Sequence, residues 1–303
     1  MMTSIRNAAV YIANKWDSGT HDLQEILSCK LMYVRARFRD GWEQKTILFY
    51  PEKPQHWHML YAISHYLGYD MSDDPHVRYD AAVAFQDATF RDVDDVLRSL
   101  SETREVINSR CGDISKERVE KVFKEIFGYG LEVDPRLERK PYVKKSNQNG
   151  LHDGVVLTEP TQPESGFIYQ RLLDNEIDNA QAYDIRTIIC KDSILFCLYR
   201  FKQLDDRFEY NRREKIKSLD AVYSKDEQAA ILRFCKEFGL DFGELDVIRD
   251  NGDRRIYIVD VNNTPAIMPR NVKMPRGERE RYLPAIAHSF ARAFLDYSTP
   301  IRI

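Results

Sequence analysis

Gly239-Leu240-Asp241-Phe242-Gly243-Glu244-Leu245-Asp246-Val247-Ile248, continued beyond a polar turn by Ile256-Tyr257-Ile258-Val259-Asp260-Val261-Asn262-Asn263-Thr264-Pro265, is the stretch that decides the fold. It predicts two strands, Glu244 to Arg249 and Arg255 to Val261, joined at Asn251-Gly252, a dipeptide suited to a tight hairpin turn. Side chains alternate along a strand, so Asp260 and Asn262 project from one face and Val259 and Val261 from the other. With Asp246 on the neighbouring strand they offer hard oxygen ligands, the kind magnesium takes when it also bridges nucleotide phosphates. Read from composition alone, the same hairpin is equally a sheet whose polar face meets water.

A helix precedes the hairpin. Ser224 and Glu227 have capping-box spacing, Ile231, Phe234, Cys235 and Phe238 share one face, and Gly239 ends the run. Further upstream the chain reads as hairpins: Tyr142 to Lys145 and Val155 to Thr158 around Asn149-Gly150, then Ile185 to Cys190 and Ile194 to Phe201 around Lys191-Asp192. Three patches in this region carry chemistry. The first runs from Tyr142-Val143-Lys144-Lys145 to Asp153-Gly154-Val155, where glycines allow backbone amides to approach phosphate. The second is Phe167-Ile168-Tyr169-Gln170-Arg171-Leu172-Leu173 with Asp184-Ile185-Arg186 and Tyr199-Arg200, whose guanidinium forks match phosphate or carboxylate oxygens. The third is the acid-bearing hairpin itself.

Together, in this order, the three patches from Pro141 to Pro265 resemble the ATP-grasp superfamily, in its carboxylate-amine ligase branch, similar to the glutamate-adding ligases of ribosomal protein modification. Asp260-Val261-Asn262-Asn263-Thr264-Pro265 is similar to the family's Glu-Val-Asn-x-x-Pro strand end, with Asp260 where glutamate is usual. The resemblance implies ATP and Mg2+ as cofactors, with the metal on Asp246, Asp260 and Asn262. It implies Lys145, rather than Lys144, together with Gly150 and Gly154 on the phosphates. Gln170, Arg171 and Leu172 become the hinge whose backbone reads adenine, although Arg171 replaces the usual glutamate. Asn211 falls in the loop over the site, and Arg186 and Arg200 face the phosphates or an acylphosphate. The phosphate loop is glycine-poor for the family, and His152 lies in it.

The fold expected is α/β (α+β): an N-terminal α/β domain over residues 1–110, then a two-lobed antiparallel ATP-grasp module over 111–303, divided near residue 175. The opening third alternates a strand at Lys45 to Tyr50, a helix at Gln55 to Leu67 and a strand at Ala81 to Phe85. A further helix follows, capped by Ser115, carrying Val119, Val122, Phe123 and Ile126, and stopped by Gly128; an amphipathic tail helix spans Glu278 to Tyr297. His56 and His58 flank Trp57 at spacing that points them apart, and Trp57, Tyr61 and Tyr66 read as core on one helix. Basic Arg270, Lys273 and Arg276 read as a solvated loop.

The 303 residues carry 43% apolar and 31% charged side chains and a net charge of −3, which suits a soluble enzyme and excludes a dedicated nucleic-acid binder. Five scattered cysteines show neither zinc spacing nor a disulfide framework, and no apolar run approaches the roughly 20 residues a bilayer demands. The expected setting is a reducing cytoplasm, with no nucleic-acid or membrane partner; homo-oligomerisation stays open. The activity the resemblance implies is ATP- and magnesium-dependent joining of a carboxylate to an amine through an acylphosphate, with small-molecule or peptide substrates. A kinase acting on a hydroxyl, and a non-catalytic ATP-binding or peptide-docking protein, are the alternatives.

Overall fold

The computed structural model describes residues 23–92, 94–151, 153–177, 181–204, 213–267 and 275–295. Helix α1 (23–39) leads into a parallel four-stranded sheet of order β2-β1-β3-β4, formed by β1 (Thr46–Pro51), β2 (Asp70–Ser72), β3 (Ala81–Phe85) and β4 (Val106–Ile107). Ile47, Leu48, Phe49 and Ala81 to Phe85 are buried throughout, as strands covered on both faces must be. Helix α2 (Met59–Leu67) lies on one face and α3 (Asp95–Thr103) on the other, its Leu97 packing with Leu48, Ala82 and Val106. On α1, Leu23, Leu27, Leu31, Val34 and Phe38 stand exposed among the described residues.

The expected helix from Gln55 begins instead at Met59: residues 56–57 form a turn, and His58 is extended, with φ −83° and ψ 142°. The Met59 N–H is bonded to Pro265 O and the Ile267 N–H to Trp57 O, so the chain beyond the acid-bearing strand holds this segment out of helical geometry. Trp57 accordingly lies outside the helix and is exposed, not core.

Two antiparallel sheets follow. The smaller has order β6-β5-β7, from β5 (Tyr142–Ser146), β6 (Val155–Leu157) and β7 (Phe167–Arg171); the larger has order β10-β9-β8-β11-β12, from β8 (Gln181–Cys190), β9 (Ser193–Gln203), β10 (Arg213–Lys217), β11 (Phe242–Arg249) and β12 (Ile256–Asn262). Helix α4 (Lys116–Phe127) starts on the Ser115 cap and ends at Gly128 with φ 76°; after the short α5 (Leu219–Val222), α6 (Lys225–Phe238) has the Ser224–Glu227 capping box in full. Both helices pack on one face of the large sheet, where Val122, Phe123, Ile231, Phe234 and Phe238 join Ile185, Leu245 and Val247. Each such side chain contributes about 1.5–3 kcal/mol by leaving water.

The opposite face of that sheet changes character along its strands. Ile188, Cys190, Leu198 and Phe242 pack beneath α7 (Arg276–Phe294), against Tyr282, Ile286 and Phe290. Two to four residues further along the same strands, that face carries Asp184, Arg186, Arg200, Glu244 and Asp246. It is this charged half that opens toward the small sheet. Asn108, buried with φ 60°, ties the parallel sheet to the large one: its Nδ2 donates to Phe242 O at 2.7 Å and its Oδ1 accepts the N–H groups of Asp241 and Phe242 at 2.9 and 3.0 Å. No helix among the described residues is long and apolar enough to cross a membrane.

Candidate functional site

Between the small and large sheets lies a cleft of about 390 Å³. Eleven side chains or backbones singled out from the sequence line it: Lys145, Gly150 and Gly154; Gln170, Arg171 and Leu172; Arg186 and Arg200; Asp246, Asp260 and Asn262. Asn211, with His152, Arg270 and Lys273, lies outside the described residues.

Register brings the acids together. Asp246 pairs directly with Asp260 and Glu244 with Asn262 across β11 and β12. A bulge between Asp246 and Val247 leaves Val259 without an opposite partner, and Val259 lines the cleft beside Asp260. Val259 packs against the core cluster that holds Val261, as alternation expects, while the inserted residue brings its carbonyl to the cleft. Asp260 Oδ1 is buried and makes no hydrogen bond, and burial raises its pKa, working against Lys116 and Lys145. Asn262 Oδ1 accepts the Thr264 N–H at 3.0 Å. Among the described residues no three His, Cys, Asp or Glu side chains cluster as a metal site. The set nonetheless fits a hard cation, because the Asp260 oxygen is a buried acceptor without a donor.

The arginines are engaged. Arg200 Nη1 donates to Asp246 Oδ1 and Oδ2 at 2.9 and 3.1 Å, while Arg186 Nε donates to Oδ1 at 3.3 Å and Nη1 stands 2.9 Å from Glu244 Oε2. Burial pushes Glu244 up to about 7, against the pull of Arg186. Lys202 pairs with Asp184 at 2.9 Å. Asp184 falls in a stretch the sequence singled out, but Glu244 and Lys202 were given no role there, although each sits two residues from Asp246 or Arg200 and period-two reading alone would have found them.

The two lysines of β5 part as alternation requires. Lys145 enters the cleft, where burial lowers it to about 8 and its Nζ lies 3.5 Å from Val259 O. Lys144 turns the other way, paired with Glu164 and 4.3 Å above the Phe167 ring. The loop between β5 and β6 is pinned by Asn149, whose Nδ2 donates to Val261 O at 3.1 Å, and by Asp153, which accepts the Ser146 N–H at 3.1 Å. Gly150 has φ 78° with open space at its missing Cβ.

On β7 the Gln170 side chain turns to Glu120 of α4 (2.9 Å). The Arg171 N–H is bonded to Leu131 O, and its guanidinium to Tyr257 Oη (2.6 Å) and Asp253 (3.0 Å). Arg171 thus braces β7 against β12, and its amide is not a free donor. Glu120 and Lys116, from α4, enter the site's surroundings only through tertiary packing.

The chain is similar in fold to the ATP-grasp ligase PsnB, solved with minimal precursor, Mg and ADP, at 16% identity and TM-score 0.45 over 65% of each chain. It is also similar to the macrocyclase MdnC from Microcystis aeruginosa, bound with precursor peptide MdnA, at 21% and 0.36 over 57% of this chain and 59% of that one. A RimK domain protein, ATP-grasp, from Sphaerobacter thermophilus aligns at 11% and 0.44 over 82% and 98%. The chain thus spans about two thirds of PsnB and 59% of MdnC. No protein-family model and no curated protein matches the chain.

Proposed function

We propose that this chain is an ATP- and magnesium-dependent ligase of ATP-grasp type that joins a carboxylate to an amine. One observation carries the reading: a single cleft between two antiparallel sheets gathers Lys145, Arg186 and Arg200 with Asp246, Asp260 and Asn262, and leaves a buried Asp260 oxygen without a donor. Cations for phosphate and hard oxygen ligands for magnesium are the two things phosphoryl transfer asks of a protein.

Asp260 and Asn262, with Asp246 beside them, would hold the metal. Bound there, magnesium supplies neutralisation of the triphosphate charge. Lys145 would contact phosphate oxygens, regaining its full charge as it does so. The backbone of the Gln170 to Leu172 segment, braced through Glu120 and Tyr257, would form the adenine wall, and Gly150 and Gly154, between β5 and β6, would cover the phosphates. Arg186 and Arg200 would place the substrate carboxylate, a role that needs cations beyond those serving the nucleotide. The carboxylate oxygen attacks the γ-phosphorus to give an acylphosphate and ADP; the neutral amine nitrogen then attacks the acyl carbon, phosphate leaves with the C–O bond electrons, and the nitrogen gives up a proton to phosphate or solvent. Substrates are small molecules, or a peptide that carries one of the two groups.

The test is a product survey with ATP, Mg2+ and panels of acids and amines. ADP and phosphate released in equal amounts, an amine requirement, and hydroxamate formed on adding hydroxylamine are expected. A stable phosphorylated product with no free phosphate would replace the ligase with a hydroxyl kinase.

A further inference from the structure

A second cavity, of about 420 Å³, lies beside the first and shares Asp87 with it. Its walls include Glu52, Lys53, Trp57, His58, Asp73 and Asp87, all from the parallel-sheet domain. None was assigned a role by the sequence motifs. Asp87 joins the cavity to the acid-bearing strand: its Oδ1 accepts the Thr264 hydroxyl at 3.2 Å, and Thr264 in turn bonds Asn262 Oδ1 through its N–H at 3.0 Å. The second cavity therefore opens at the reacting end of the cleft, beside Asn262, and not at the adenine end.

The chemistry of the walls is selective. His58 is buried, and its Nδ1 accepts the Gln55 N–H at 2.9 Å, which leaves the ring hydrogen on Nε2, 3.4 Å from Asp87 Oδ2. The imidazole is thereby fixed as a donor to Asp87. That hydrogen bond, opposed by burial, holds the Asp87 carboxyl below its ordinary value. Yet the Asp87 side chain is 63% exposed, so each oxygen keeps capacity to accept from a ligand. Lys53 is paired with Asp73 at 3.1 Å, so three carboxylates face one ammonium group in this cavity. A further anion there would be repelled. Trp57, 46% exposed beside His58, offers an aromatic face of the kind that attracts cations and alkyl chains.

We propose that this cavity is the acceptor subsite, and that it takes a primary amine that arrives as its ammonium ion, rests on Asp87 with its carbon chain along Trp57, and passes a proton to solvent before its nitrogen attacks. The assignment rests on the ligase reading and adds to it the side from which the amine arrives and the charge it carries. Anionic chemistry is kept at Arg186 and Arg200 and cationic chemistry at Asp87, so the two substrates are sorted by charge before they meet.

The test uses probes that need no turnover. n-Butylammonium, neutral 1-pentanol and acetate are titrated onto the full chain at neutral pH, by ligand-observed saturation transfer and by tryptophan fluorescence. Butylammonium is expected to bind and to change the fluorescence in the wild type but not in Trp57→Phe. Asp87→Asn is expected to weaken butylammonium at least tenfold with an unchanged unfolding midpoint. Equal binding of pentanol or acetate, or unchanged butylammonium affinity in Asp87→Asn, overturns the assignment. Magnesium-dependent ATP binding is measured on the same samples: amine binding without ATP binding sinks the ligase reading and leaves the cation site, whereas ATP binding without amine binding does the reverse.

Discussion

Arg200 Nη1 bridges both carboxylate oxygens of Asp246, at 2.9 and 3.1 Å, and Arg186 reaches the same carboxylate from the adjacent strand. Burial works against ionisation of Asp246, but Arg200 and Arg186 outweigh it and hold the carboxyl well below its ordinary value. Asp246 is thus a shared anion between two guanidinium groups, and an incoming cation must compete with them. Arg200→Ala and Asp246→Ala are predicted to be coupled by about 2 kcal/mol in a urea-unfolding double-mutant cycle. Additive effects would show that the pair contributes nothing to the fold.

Asp260 presents the opposite case, a buried carboxylate whose pKa is raised and whose Oδ1 has no donor. A raised folded-state pKa means that stability is lost as pH climbs from the unfolded value through the folded one. Asp260→Asn is therefore predicted to raise the melting temperature at pH 7 while abolishing the magnesium dependence of ATP affinity in calorimetry. Retained magnesium dependence would take Asp260 out of the metal set.

Lys145, lowered to about 8 by burial, gives a prediction of opposite sign. Phosphate needs the charged ammonium, so ATP affinity is expected to be flat below about pH 7 and to decline as pH rises through 8. Because the folded-state pKa lies below the ordinary 10.5, the folded chain sheds this proton first, and Lys145 penalises the apo fold least at high pH. Lys145→Met should stabilise the apo protein at pH 7 by about 1–2 kcal/mol, lose ATP binding and flatten the pH profile.

Lys144→Ala serves as the contrast. Its partner Glu164 is exposed, and such pairs contribute at most about 1 kcal/mol. ATP affinity within twofold of wild type is expected; a loss larger than that of Lys145→Met reverses which lysine faces phosphate.

Asn108 stitches the parallel sheet to the turn before β11 with a side chain that satisfies Phe242 O and two N–H groups, at a backbone φ of 60°. Asn108→Ala orphans buried partners and strains the backbone, for a predicted loss of about 3–5 kcal/mol in chemical unfolding. Asn108→Gly removes the strain alone and should recover about 1 kcal/mol of it. Equal losses in the two variants would assign the whole effect to the hydrogen bonds.

The sequence by itself determined the parts of this protein that depend on neighbours along the chain. Capping residues and apolar spacing placed α4 and α6, and alternating apolar runs with polar turns placed the β5–β6, β8–β9 and β11–β12 hairpins, though not β10, because those signals act within a few residues. Alternation also sent Lys145 and Lys144 to opposite faces, and motif order drew eleven residues that share one cleft. What acts across the fold had to come from tertiary structure. The bulge that brings the Val259 carbonyl to Lys145 arises from a mismatch between two strands, and neither strand records it alone. The late start of α2 is imposed by Pro265 and Trp57 backbone bonds between segments some 200 residues apart. Asp87 and His58 carry no motif; they meet Thr264 only because the parallel sheet docks on the end of β12, where burial and hydrogen bonding fix which oxygens remain open to a ligand.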